Sequence, residues 1–314
     1  MDHDRGRDRR RARAAGADLR RARCGGRAAG GTARLVTSTA RPTVATLTYK
    51  DGTTNPVRIF RGPDPAAPVL MIWPGVNVPA GYFDDFGRGL IDAGFNAVVA
   101  ELRGQGDSRP RGAAGTHGFQ DVVVEDYPAV SALARQKFPG APRILLGHSL
   151  GGLMGVMYAA RARRNLAGVI LVACGTGYYK LDGLSGTARR IGTSVAARAA
   201  ARRGHWSGPD GLGEVPAGIV ADFDHLVQTG DFNVAGADVD YEARLAGTRT
   251  PVLTVAIAGD ELVSDRQSRF VGEKFPESTH RRIADPLGHN QWILSPGAVI
   301  PALSGWIAQS VPRG

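Results

Sequence analysis

Apolar runs recur along most of this 314-residue chain, and their period changes from one run to the next. Residues 43–49 and 57–60 are β-rich and flank Lys50-Asp51-Gly52, a hairpin signal. Short apolar runs at residues 69–73, 96–102, 143–146, 168–173 and 252–257 read as buried strands, and 279–283 as a strand of alternating character. Helical patterns lie between them, over residues 82–93, 119–138, 150–163, 265–275 and 298–310. Strands alternating with helices predict an α/β fold, a mostly parallel central sheet with helices on both faces.

Two stretches break the pattern. Residues 175–250 separate two core strands by 76 positions, too long for a structureless loop in a compact domain. Helical material at 187–203 and 219–228 makes this stretch an inserted cap, or lid, over the C-terminal edge of the sheet. Residues 1–41 are rich in Arg, Ala and Gly without apolar periodicity, and read as a disordered tail or a misassigned start. The core is then 42–174 together with 251–314.

Charge changes the picture little. The net +10 is concentrated in residues 1–34, where eleven Arg and four Asp leave +7. A basic tail attracts phosphate, but this one has no aromatic residue on which bases could stack, so no specific nucleic-acid partner is expected. Arg9-Arg10 is not followed by the apolar stretch of an export signal. No apolar run approaches the ~18 residues of a membrane span. Two cysteines, Cys24 and Cys174, are too few for a disulfide framework and suit a reducing cytoplasm.

The chemistry centres on Gly147-His148-Ser149-Leu150-Gly151-Gly152. Gly-x-Ser-x-Gly between an apolar strand and a helix predicts a nucleophile elbow, with Ser149 on a strained turn at the sheet edge. The helix dipole then points at charge developing near Ser149. A serine needs a base. Of the seven histidines (3, 117, 148, 205, 225, 280 and 289), only His289 follows the last strand in a loop, as the order Ser, Asp/Glu, His requires. His148 is set aside as lying on the wrong side of the turn. The orienting carboxylate is Asp260, at the end of strand 252–257, with Glu261 the alternative. Oxyanion donors are expected from the N–H groups of Leu150 and of Val76, with the Asn77 side chain an additional donor. No zinc-like cluster and no phosphate-binding loop appears, so neither metal nor cofactor is expected.

From about residue 43 to its end the chain resembles the α/β-hydrolase superfamily. The stretches Pro74-Gly75-Val76-Asn77-Val78-Pro79-Ala80-Gly81-Tyr82-Phe83 and Leu102-Arg103-Gly104-Gln105-Gly106-Asp107-Ser108 resemble its lysophospholipase-like and serine-aminopeptidase-like serine hydrolases. The resemblance implies a triad of Ser149, Asp260 and His289, with Val76 and Leu150 as oxyanion donors. Two positions depart from it: Glu101 stands where Asp is usual, and Gly75 replaces the His of a His-Gly motif. The likeness fades over residues 175–250.

The expected activity is cofactor-free hydrolysis of an ester, thioester or lactone on a small acyl substrate. Acyl transfer or cyclisation on the same residues is the alternative, and a non-catalytic binding protein the rival from another class. Within the cap, Trp206 and Phe223 are candidates for lining an acyl pocket.

Overall fold

The computed structural model describes residues 38–110, 116–162, 165–207 and 213–311. Up to position 37, the expected tail lies outside the described residues. Strands β1 (Thr43–Thr48) and β2 (Thr54–Phe60) pair antiparallel across a turn carrying Gly52 at φ +82°. Strand and helix then alternate: β3 (Val69–Trp73), α1 (Asp84–Asp92), β4 (Asn96–Val99), α2 (Phe119–Lys137), β5 (Arg143–His148), α3 (Ser149–Arg161) and β6 (Gly168–Val172). Next come α4 (Gly183–Arg203), the short antiparallel pair β7 (His205–Ser207) and β8 (Glu214–Pro216), α5 (Ala217–Thr229) and α6 (Tyr241–Ala246). The chain closes with β9 (Val252–Ile257), α7 (Asp265–Gly272), β10 (Ser278–Ile283), one turn of helix α8 (Gly288–Gln291) and α9 (Pro296–Ser310).

Eight strands form one sheet in the order β1-β2-β4-β3-β5-β6-β9-β10. β2 pairs antiparallel with β1 and β4, and every later pairing is parallel. Every residue of β3, β4, β6 and β9 is buried, as expected where helices cover both faces. Alternate residues serve the two layers. Met71, Trp73, Leu145 and Leu171 face Tyr127 of α2, Met154 of α3 and Leu245 of α6. Ile72, Leu146, Ile170 and Val172 face Phe86 of α1 and Leu303 and Trp306 of α9.

Register determines where the loops emerge. Trp73 lies opposite Gly147, His148 opposite Val172, Val172 opposite Val255 and Ile257 opposite Ile283. The segments following β3, β5, β9 and β10 therefore leave the sheet along one edge. Between β6 and β9, α4 and α5 pack together. Asp224 accepts from Thr193 and Ser194, and Gln228 donates to Ser194. Both helices stop at glycines in the left-handed conformation, Gly204 and Gly230. Asp222 of α5 accepts the Phe119 N–H at the start of α2.

The strand expected over 96–102 ends at Val99. Its next residues leave the ladder because Glu101 turns in to accept the Ala80 N–H and Arg103 joins Asp51, Glu125 and Asp126. The helix expected from 187 begins at Gly183, and that expected from 82 is preceded by a 3₁₀ turn, Ala80–Phe83.

Candidate active site

Ser149 has φ +49°, rare for a residue with a side chain. It stands between the last residue of β5 and the body of α3. The glycines around it are required by close backbone approach. A Cβ on Gly151 would lie 2.7 Å from the Trp73 carbonyl oxygen, and one on Gly152 would lie 2.7 Å from Cys174 Sγ. A Cβ on Gly147 would run into Gly152. Gly151 also donates to the Pro74 carbonyl at 3.1 Å and accepts the Tyr127 hydroxyl at 2.5 Å, and the Tyr127 ring stacks on Trp73 at 3.8 Å. The turn is thus clamped by β3 on one side and α2 on the other.

His289 and Asp260 reach Ser149 from the other end of the sequence. His289 Nε2 lies 2.9 Å from Ser149 Oγ, and His289 Nδ1 lies 2.9 Å from Asp260 Oδ2. The Asp260 side chain is 1% exposed and that of His289 12%. Asp260 Oδ1 accepts the backbone N–H groups of Leu262 and Val263 at 2.8 and 2.9 Å, so both carboxylate oxygens are occupied. Glu261 is exposed. The two loops are stitched by the Gly288 N–H donating to the Ala258 carbonyl. Gly259 and Gly288 adopt φ +74° and +63°, which only glycine takes without penalty.

The loop after β3 passes directly alongside. A Cβ on Gly75 would lie 3.1 Å from Ser149 Cβ. Val76 follows, and then Asn77, at φ +56° with its N–H on Gln105 Oε1 at 2.5 Å. Leu150 sits in the first turn of α3, where an N–H has no carbonyl one turn earlier to bond. An open cavity of about 430 Å³ adjoins this loop, lined by Asn77, Pro79, Gln105, Glu214 and the glycines 104, 106 and 213. Trp206 is half-buried in β7 opposite Val215, and Phe223 packs partly buried against the core. Neither lines that cavity. Among the described residues, no group of three or more His, Cys, Asp or Glu side chains is gathered as a metal site requires. No helix among them is long and apolar enough to cross a membrane.

Two residues at this edge escape reasoning from sequence alone. Gln105 orders the loop of Asn77. His148, fully buried, accepts the Gly75 N–H on Nδ1 and lies with Nε2 3.1 Å from the His289 carbonyl oxygen, which also accepts from Trp292 Nε1. Burial, reinforced by the neighbouring His289, holds its pKa well below the ordinary histidine value. The signal lay in strand periodicity: His148 follows Leu146 onto the face that carries Phe83 and Trp292.

The family described as serine aminopeptidase, S33, matches residues 64–205. RutD of Cronobacter turicensis, which carries the name of a carbamate hydrolase, is 28% identical over 116 residues, 37% of this chain and 41% of that protein. Among solved structures, a soluble variant of monoglyceride lipase from Saccharomyces cerevisiae superposes with a TM-score of 0.66 at 13% identity, over 90% of this chain and 100% of that one. A carboxylesterase of Nitrososphaera gargenis gives 0.59 at 16%, over 85% and 98%. The thioesterase domain from the curacin biosynthetic pathway gives 0.57 at 15%, over 84% and 99%. With this sheet order and these similarities, the chain has the α/β-hydrolase fold, and its residues 64–205 are similar to the hydrolytic serine aminopeptidase family.

Proposed function

We propose that the protein cleaves a carboxylic ester or thioester through an acyl-enzyme on Ser149. The observation that carries this reading is the continuous chain Ser149 Oγ, His289 imidazole, Asp260 carboxylate, with 2.9 Å at each contact. In that chain His289 Nε2 accepts the Ser149 proton as Oγ bonds to the substrate carbonyl carbon. Asp260, held on the Nδ1–H, stabilises the imidazolium that forms. The carbonyl oxygen becomes an oxyanion facing the Val76 and Leu150 N–H groups. His289 then returns the proton to the departing alcohol or thiol. A water molecule, deprotonated by the same imidazole, releases the acid and restores Ser149. The sequence asks for no further cofactor.

Residues 175–250 act in this reading as a cap that governs access to Ser149. Gly213 and Glu214 of that segment line the cavity beside the proposed oxyanion loop together with Asn77. Substrates are small acyl compounds, and the names of the relatives suggest the first panel: p-nitrophenyl esters, monoglycerides, acyl-thioesters and carbamates.

The test combines labelling with turnover. A fluorophosphonate probe should label wild type stoichiometrically on Ser149. Ser149→Ala should lose labelling and drop kcat by roughly 10⁴–10⁶-fold, with an unchanged melting temperature. A Ser149→Ala protein that kept a tenth of wild-type turnover would remove the serine mechanism. Turnover that required an added alcohol or amine acceptor would favour acyl transfer over hydrolysis.

A further inference from the structure

We propose that His148 is a positioning residue, a neutral imidazole that ties the loop after β3 to the main chain of His289. The inference rests on the roles proposed above for Ser149, His289 and Val76.

The ring lies in an aromatic cage, with ring centres 6.4 Å from Phe83, 5.3 Å from Trp292 and 5.0 Å from His289. A leucine would suit such surroundings better, because burying an imidazole costs free energy unless its nitrogens are bonded. Both are bonded, and both to main chain. The Gly75 N–H donates to Nδ1 at 3.1 Å, which leaves Nε2 to carry the proton and donate to the His289 carbonyl at 3.1 Å. One bond therefore ends on the residue next to Val76, and the other on the backbone of the proposed base. No other side chain at this edge bonds both segments among the described hydrogen bonds. The ring thereby sets the distance between the place where negative charge develops and the atom that moves the proton.

The geometry also fixes the protonation state. A proton on Nδ1 would confront the Gly75 N–H, so the imidazolium form has no room for its second hydrogen. The depressed pKa agrees. His148 stays neutral while its neighbour His289 cycles, and so adds no second positive charge beside it.

The two bonds are not equivalent. Trp292 Nε1 also donates to the His289 carbonyl, at 3.0 Å, so that carbonyl stays held without His148. The Gly75 N–H would be left with no acceptor. Loss of His148 should therefore act mainly through the loop that carries Val76, and should appear in the rate of acylation more than in substrate binding.

The experiment compares full-length wild type, His148→Leu, His148→Asn and His148→Gln on one p-nitrophenyl ester. It measures kcat, KM, the fluorophosphonate labelling rate and Tm, with Ser149→Ala as background. Leucine fills the cage without an acceptor. Asparagine presents Oδ1 near the position of Nδ1, and glutamine places its amide nearer that of Nε2. His148→Leu should lose about 10–100-fold in kcat and labelling rate, since misplacement by an ångström can cost about 10²-fold. Its KM should stay within about twofold. His148→Asn should regain most of the loss, and His148→Gln less. Equal impairment of all three, or a kcat for His148→Leu within about twofold of wild type, would overturn the proposal. Should His148→Leu fail to fold, the ranking of Asn above Gln decides the matter in the same way. An inactive Ser149→Ala beside an unimpaired His148→Leu would overturn this proposal alone. An active Ser149→Ala would overturn the serine mechanism, and this proposal with it.

Discussion

Glu101 is a carboxyl under tension. It is 1% exposed, accepts the Ala80 N–H at 2.9 Å, and sits so close to Gly106, itself at φ +54°, that a Cβ there would collide with the carboxylate. Burial pushes its pKa up to about 7. A carboxyl raised in the folded state keeps its proton while the unfolded chain releases its own. Stability from this group is therefore full below the ordinary carboxylate range and is lost as pH rises toward about 7. Glu101→Gln should remove that dependence. Its Tm relative to wild type should be higher at about pH 8 than at about pH 5, measured by scanning calorimetry, and a difference flat with pH would discount Glu101. The same logic of exact neighbours governs the elbow: Gly147, Gly151 and Gly152 are glycines because chain stands where their side chains would be.

Elements differ in how openly the sequence declares them. β3, β6 and β9 are runs of five or six buried residues, and such runs have no competing reading once helices flank them. α4 is harder to delimit: Gly183 and Gly186 weaken its first turn, since glycine disfavours helix, and the expected start moves past them. β7 and β8 have three residues each and α6 has six, too few for any period to register. The candidate site splits along the same line. Ser149, Asp260 and His289 can be nominated because each follows a strand in the order expected, and the structure brings them within hydrogen-bond distance, whereas Gln105 and His148 meet partners that only folding brings near. The segment between β6 and β9 is where specificity should be read. Trp206→Ala and Phe223→Ala should change the ranking of acyl-chain lengths by kcat/KM while probe labelling of Ser149 persists. A ranking unchanged in both variants would leave these residues as scaffold, which the packing of Phe223 on the core makes a concrete alternative.

Taken as a whole, the molecule assembles its proposed chemistry from distant chain. Ser149 and His289 are 140 positions apart, and Asp260 and His289 are 29 apart. The order β5-β6-β9-β10 means that β9 joins β6 only after α4, α5 and α6 have been passed over. Closing so long a loop costs entropy that grows with its length, and non-local pairing slows folding. The expected outcome is that β9 and β10 join the sheet last. β1 to β6 can form a sheet from neighbouring segments, and that partial sheet already displays Ser149 with no base beside it. On dilution from denaturant, helical circular dichroism should recover ahead of fluorophosphonate labelling, and the lag between them should be the docking of β9 and β10. Coincident recovery would show that the two halves form together. On the proposed mechanism, a newly made chain would carry its serine long before it carried a reactive one, chemically silent until its last strands had found their edge.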